Sequence, residues 1–287
     1  MSTNTTKRTP RSGAALKNDQ VRSLVRQSAV TRQRRDRLER TLLPFGVVIA
    51  ALIVWELWGR IADFNPLFFS YPSRIFASLI DYSSGTLWTD IGTSALEFLI
   101  GMVIAIVAIP LGLVIGRNRR LVYALNPIID ALYSTPIVAL TPLFVIWFGL
   151  GISSKVAMVA IVAFFPLLIT MIEGVSTVDR FLVDAVRTLG ASRRQIYTDV
   201  IIPGTLPFIV SGLRLSIRGG IIGVVLGEFL GATGGVGYRI RVFAEAFRTP
   251  DYLGAVVVLV IFAACLNVLL KLVERRFAPW REALIEA

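Results

Sequence analysis

The stretch Val183–Gly204, VDAVRTLGASRRQIYTDVIIPG, decides how this chain is read. It is polar and basic, with Arg193 and Arg194 side by side, yet hydrophobic runs long enough to cross a bilayer lie on both sides. Phe181, Leu182, Ala185 and Leu189 recur at helical spacing, as do Ile196, Tyr197 and Val200, with Gly190 between the two sets. The pattern predicts two short amphipathic helices joined at a glycine, the second stopped by Pro203 before Pro207 opens the next span. Within the chain only lipid headgroups or other short loops are available to cover such an apolar face, so a cytoplasmic protein partner is the economical inference.

The flanks support a membrane setting. Of 287 residues, 55% are hydrophobic and 17% charged, a balance too apolar for one water-soluble core. Runs of about 20 apolar residues match a hydrocarbon core of about 30 Å, and six are placed at 43–62, 94–116, 127–149, 156–174, 207–230 and 252–272. The first begins behind a long polar tail, shows no small-residue cleavage pattern, and is expected to remain a span. The third, NPIIDALYSTPIVALTPLFVIWFGLG, carries Pro127, Pro136 and Pro142, and backbone broken at membrane depth must be buried in protein or line a watery path.

Lys and Arg concentrate in the tail, the 117–126 loop, the 175–206 loop and the C-terminus, which places all four in the cytoplasm. Arg239, Arg241 and Arg248 fit this poorly, since they fall on the outer side, with Glu245 and Asp251 partly offsetting them. The net charge of +11 is mostly the tail's: residues 1–42 hold eleven Lys/Arg against three Asp/Glu, leaving +3 for residues 43–287. Nucleic acid is therefore not the expected partner. Within the tail, RQRRDRLER at 32–40 reads either as an amphipathic helix on anionic lipid or as a topogenic, disordered anchor.

Several chemistries are excluded. There is no histidine, and the one cysteine, Cys265, lies in an apolar run and reads as packing, so neither a disulfide framework nor a Cys/His metal site is available. A Ser-His-Asp triad is ruled out for the same reason, and a Ser-Lys dyad has only Lys155, near an outer surface, to offer. None of the four lysines, Lys7, Lys17, Lys155 and Lys271, follows a glycine, so there is no P-loop. The glycine run Gly231–Gly237 follows a span and reads as close helix contact or a re-entrant turn, not as a nucleotide loop. The chain is not expected to be an enzyme by itself.

Ionisable groups inside spans are costly and usually face a bundle interior or cavity. The candidates here are Glu56, Glu97, Asp130, Arg214, Arg218 and Glu228. Arg214 and Arg218, four apart on one face, either pair with Asp130, hold a path shut, or snorkel to headgroups. Glu228 lies about 15 Å beyond Arg218 along the same span and reads as a structural pair at a dimer interface or a substrate contact.

The opening stretch resembles the EAA loop of ATP-binding-cassette (ABC) importer permeases: Glu-Ala-Ala, three residues, Gly, nine residues, Ile-x-Leu-Pro. Here Asp184-Ala185-Val186 precede Gly190 by the same interval, and Val200-Ile201-Ile202-Pro203 follow at the same distance. TPIVALTPLFVIWFGLG, the FFP of Phe164–Pro166 and GEFLGATGGVGY at 227–238 are similar to the third to fifth spans of nitrate/sulfonate/bicarbonate-type permeases, so the resemblance covers roughly residues 70–277.

It implies an all-α integral membrane protein, a type I ABC importer transmembrane domain over 43–287, with a coupling-helix loop at about 175–206. By that resemblance Asp184, Ala185, Gly190, Ala191, Arg193, Ile196 and Pro203 couple to the ATPase, and Glu97, Asp130, Arg214, Arg218 and Glu228 are candidates for the translocation path. It further implies a bacterial inner-membrane location, a second permease chain in a homodimer, two cytoplasmic ABC ATPases, an extracytoplasmic solute-binding protein, and a small solute such as a sulfonate, taurine, nitrate or bicarbonate. ATP and Mg²⁺ would be bound by the ATPases, and no cofactor by this chain. Glu97 departs from the pattern: SALE stands where many relatives carry SLxR, which weakens the case for an anionic solute. A secondary transporter or channel and a membrane scaffold remain the rival readings; the first predicts inverted repeats or a charged relay, and neither is evident.

Overall fold

A computed structural model describes residues 43–62 and 64–277, with side chains to 272. The basic tail and its two readings lie outside the described residues. The chain divides into two compact units at Asp63/Phe64. The first contributes one described helix, α1 (Leu43–Ile61), apolar and exposed over most of its surface. Glu56 sits on it, paired with Arg60 one turn later at 2.5 Å.

The second unit, after an irregular segment at 64–71, is built from helices: α2 (Pro72–Ser84), α3 (Leu87–Ala105), α4 (Ala108–Arg117), α5 (Arg119–Tyr133), α6 (Ile137–Phe148), α7 (Ile152–Thr177), α8 (Arg180–Thr188), α9 (Arg193–Gln195), a π-helical turn (Ile196–Ile201), α10 (Ile202–Gly231), α11 (Val236–Glu245) and α12 (Thr249–Phe277). Among the described residues five stretches are long and apolar enough to span: α1, α3 with α4, α7, α9 through α10, and α12. The pair α5–α6 makes a sixth, bent by 88°.

Proline accounts for both breaks. Pro110 cannot donate to Ile106 and its ring crowds that carbonyl, so α3 passes into α4 through a tight turn in which Ile109 N donates to Ile106 O at 2.9 Å. At the bend, Pro136 drives Thr135 out of helical geometry, and α6 restarts with Ala139 N donating to Pro136 O at 2.9 Å. The third predicted span is therefore two helices meeting near a right angle.

α7 is the central helix, packed against α3, α4 and above all α10. A Cβ added at Gly219, Gly223 or Gly227 of α10 would lie 3.0 Å from Val162 O, 2.8 Å from Val159 Cα or 3.1 Å from Lys155 Cα, so the two backbones meet along a glycine seam. Ser216 Oγ adds a hydrogen bond across it, donating to Ala163 O at 2.6 Å. Around the seam, Phe98, Met102 and Ala105 of α3, Val159 and Ala163 of α7, and Ile217 and Val224 of α10 form one buried cluster. A second, of Tyr82, Leu87, Val236, Ile240, Phe243, Ala255 and Val258, ties α2, α11 and α12 together at the far end of α10. Cys265, expected to pack, is exposed on α12.

Gly223→Val should lower the unfolding temperature in detergent with a loss of about 1–3 kcal/mol, because its neighbours at 2.8–3.1 Å are backbone atoms that cannot swing aside. Thermal unfolding followed by size-exclusion chromatography checks this, with Gly92→Val, which meets nothing within 4 Å, as the comparison.

Candidate functional site

The loop around Gly190 is built as a rigid corner. Asp179 caps α8, its carboxylate accepting from Phe181 N at 2.8 Å. α8 ends in a Schellman motif: Ala191 N donates to Val186 O at 3.2 Å and Gly190 N to Arg187 O at 3.0 Å, with Gly190 at φ +87°. Ser192 then opens the next helix with a reciprocal capping box, Gln195 N donating to Ser192 Oγ and Ser192 N to Gln195 Oε1. The Ser-x-x-Gln spacing at 192–195 is the sequence signal of this cap.

The segment after Gly190 differs from expectation. Instead of a second short helix stopped at Pro203, the chain runs without a break from Arg193 to Gly231. The π-turn explains how: Ile202 N bonds to Tyr197 O, five residues back, and this widened turn precedes the point where Pro203 would otherwise crowd the carbonyl of Asp199. Pro203 then sits at the second position of α10, directly after that turn.

The two predicted apolar faces also diverge. Ile196 and Ile201 are buried with Val183 and Val175, Tyr197 and Val200 packing beside them, so the second face is covered within the chain. The first is not: Phe181 is 77% exposed, Leu182 53% and Leu189 87%. Asp184 and Arg193 are exposed, Asp184 paired with Arg187 at 3.0 Å, and Ala185 and Ala191 are half-buried.

At the far end of α10 the structure gathers a second polar group. Asp90, Ser94 and Glu97 share one face of α3 at intervals of four and three, and all are at most 2% exposed. Lys155 Nζ of α7 lies 3.3 Å from Glu97 Oε1. Glu228, wholly buried, accepts from Ser94 Oγ at 2.6 Å and from Gly237 N at 2.5 Å. Asp90 accepts from Gly235 N at 3.0 Å, Tyr82 Oη at 3.1 Å, Thr86 Oγ1 at 2.7 Å and Arg239 Nε at 2.8 Å, while Val236 N donates to Ser94 Oγ at 2.9 Å. Burial and the Asp90 carboxylate raise the Tyr82 hydroxyl above the usual tyrosine range, so it stays a donor. The glycine turn after α10 is thus held by three carboxyl and hydroxyl side chains, and Gly235, at φ +106°, leaves no room for a Cβ beside Glu228.

This cluster was only partly legible. Glu97 and Glu228, expected as path candidates, are both buried within the chain, and Glu228 is bound there by Ser94 and Gly237. Lys155, read as near a surface, is 6% exposed and neutralises Glu97. The i, i+4, i+7 spacing of Asp90, Ser94 and Glu97 was the available signal. The misfit arginines are all paired: Arg239 with Asp90, Arg241 with Glu245 at 3.4 Å, Arg248 with Asp251 at 2.9 Å. Arg214 is half-buried and Arg218 exposed near the middle of α10; among the described residues no ion pair joins either to Asp130, which is exposed on α5.

A bundle of spans, one of them broken, with a rigid loop at one end and a buried charge cluster at the other, defines a membrane-spanning transport subunit. Residues 108–282 match the family described as binding-protein-dependent transport system inner membrane component, and the chain belongs to it, as an ABC importer permease for small solutes. It is 31% identical over 245 residues to the taurine transport system permease protein of Escherichia coli (strain K12), covering 83% of this chain and 89% of that one. It is also 31% identical over 232 residues to the formylaminopyrimidine transport permease protein of Halalkalibacterium halodurans, covering 80% and 92%. In fold it matches the solved structure of an amino acid ABC transporter with histidines, at a TM-score of 0.57 and 16% identity over 70% of this chain and 98% of that one. The fold is that of a type I importer transmembrane domain, and the protein is a multi-pass inner-membrane protein.

Lys155→Met leaves the Glu97 carboxylate buried without its counter-charge and should cost about 3–5 kcal/mol. Glu97→Gln combined with Lys155→Met should recover much of that loss. Unfolding temperatures of the two single variants and the double variant in detergent test the coupling, and strictly additive losses would show that the ion pair is not the source.

Proposed function

We propose that this permease works as a homodimer with two cytoplasmic ABC ATPases, and that the corner at Gly190 is the coupling element that enters them. The carrying observation is the combination of rigidity and exposure: Phe181, Leu182 and Leu189 stand in solvent on a segment fixed by two caps and a Schellman turn. Asp184, Ala185, Gly190, Ala191, Arg193, Ile196 and Pro203 divide this task. Gly190 sets the corner, Ile196 anchors it to α7, Pro203 marks its union with α10, and the exposed members meet the partner. The ATPases bind ATP and Mg²⁺; their closure draws the two corners together and alternates access to the path, and hydrolysis resets it.

An extracytoplasmic binding protein delivers the solute, and the termini lie in the cytoplasm with the basic loops. The solute class favoured is a small sulfonate such as taurine, supported by the taurine relative. Glu97, Asp130, Arg214, Arg218 and Glu228 are the candidates for the translocation path. A heterocyclic vitamin precursor is the second reading, supported by the equally similar formylaminopyrimidine relative. Uptake of labelled taurine against labelled formylaminopyrimidine, in cells carrying the intact transporter, separates the two.

Gly190→Val places a β-branched residue at φ +87°, which should misdirect the corner without touching its surroundings, since nothing lies within 4 Å. The variant should insert normally yet lose most solute uptake and most solute-stimulated ATP hydrolysis. A single cysteine at Arg193, in a Cys265→Ala background, should crosslink to an ATPase subunit with a yield that changes on adding ATP. Crosslinking to lipid or self alone, in membranes that transport actively, would favour a secondary transporter or channel.

A further inference from the structure

A polar cavity of about 180 Å³ opens where α4 turns into α5 and where α7 gives way to α8. At about 30 Å³ per water it has room for roughly six waters, enough for a phosphate group. Arg117, Arg119 and Arg180 line it together with Tyr123 and Ser176. None of the three guanidinium groups has a hydrogen bond or ion pair to a described residue. The carboxylate nearest Arg180 in sequence, Asp179, is engaged as the α8 cap at 2.8 Å.

Helix electrostatics sharpens the anomaly. Arg117 lies in the last turn of α4, where a cation complements the partial negative charge of the helix end. Arg119 and Arg180 are the first residues of α5 and α8, where the helix end is partially positive and a cation is disfavoured. Three like charges around one small cavity, two of them at unfavourable helix ends, call for an anion with several acceptor oxygens.

We propose that this cavity binds a phosphate group at the loop end of the bundle. With the topology proposed above it lies at the cytoplasmic surface, where the phosphodiester of an anionic phospholipid is the source at hand. A lipid held there would pin the α7–α8 junction, from which the corner at Gly190 projects.

The test is native mass spectrometry of the purified full-length chain, titrated with phosphatidylglycerol, phosphatidylcholine or inorganic phosphate. The wild-type chain should retain one phosphatidylglycerol in preference to phosphatidylcholine. Arg117→Gln/Arg119→Gln/Arg180→Gln should require at least about tenfold more phosphatidylglycerol for the same occupancy. A charge-matched control, Arg74→Gln/Arg193→Gln/Arg194→Gln, should not. If the triple variant unfolds at a lower temperature, Arg180→Gln alone, on an exposed position, should weaken retention in the same direction. Equal retention by wild type and triple variant, or an equal loss in the control, overturns the proposal. Inorganic phosphate binding that the triple variant abolishes, without preference between the two lipids, keeps the phosphate site and assigns its source to the cytoplasm. The assay reads neither uptake nor ATP hydrolysis, so its failure leaves the proposed ATPase coupling intact, and failure of that coupling leaves the cavity result standing.

Discussion

The close approach of α7 and α10 is the constraint on which the rest of the molecule depends. In a bilayer, helices gain little from hiding apolar surface, because lipid chains are as apolar as leucine; dispersion between closely apposed backbones and a few polar bonds must hold them. The glycines at 219, 223 and 227 remove the side chains that would keep the axes apart, and Ser216 adds a bond in the middle. Both polar regions lie at the ends of this pair. Lys155 faces Gly227 near the buried charge cluster, and Gly174 of α7 meets Phe208 of α10 toward the corner at Gly190.

The charge cluster and the corner solve opposite problems with the same elements. In the cluster, carboxylates are withdrawn from water and each is met by donors: Lys155 for Glu97, Ser94 and Gly237 for Glu228, and four groups including Arg239 for Asp90. Unpaired, such groups would be costly at membrane depth; paired, they fasten the glycine turn after α10 to α3. In the corner, the backbone satisfies itself through caps and a Schellman turn, and the side chains left over are apolar and exposed.

The sequence exposed the spans clearly because hydropathy over about 20 residues is a strong signal, set by bilayer thickness. It exposed the corner because Gly190, set between two runs of helical apolar spacing, is a local device; the Ser-x-x-Gln cap beside it is an equally local signal that this pattern did not need. What it hid was pairing across helices. Nothing in the one-dimensional pattern brings Lys155 to Glu97, 58 positions away, or Arg239 to Asp90. Pro203 misled for a related reason: the rule that proline stops a helix is local, and the π-turn that defeats it is stabilised by Ile196 and Ile201 packing on Val175 and Val183. The 88° bend between α5 and α6 was foreshadowed by its prolines, but its angle was not.

The unbroken run from Arg193 to Gly231 makes a lever of unequal arms. Measured from Gly219, in the seam, the arm toward Arg193 is about 39 Å and the arm toward Gly231 about 18 Å, at 1.5 Å per residue. A tilt of about 3° about that fulcrum carries the Arg193 end through about 2 Å and the Gly231 end through about 1 Å, by the same helical rise. The long arm ends in solvent and the short arm ends in a knot of ion pairs and short hydrogen bonds, so a modest push outside the bilayer arrives at the buried charges as a shorter stroke with greater force.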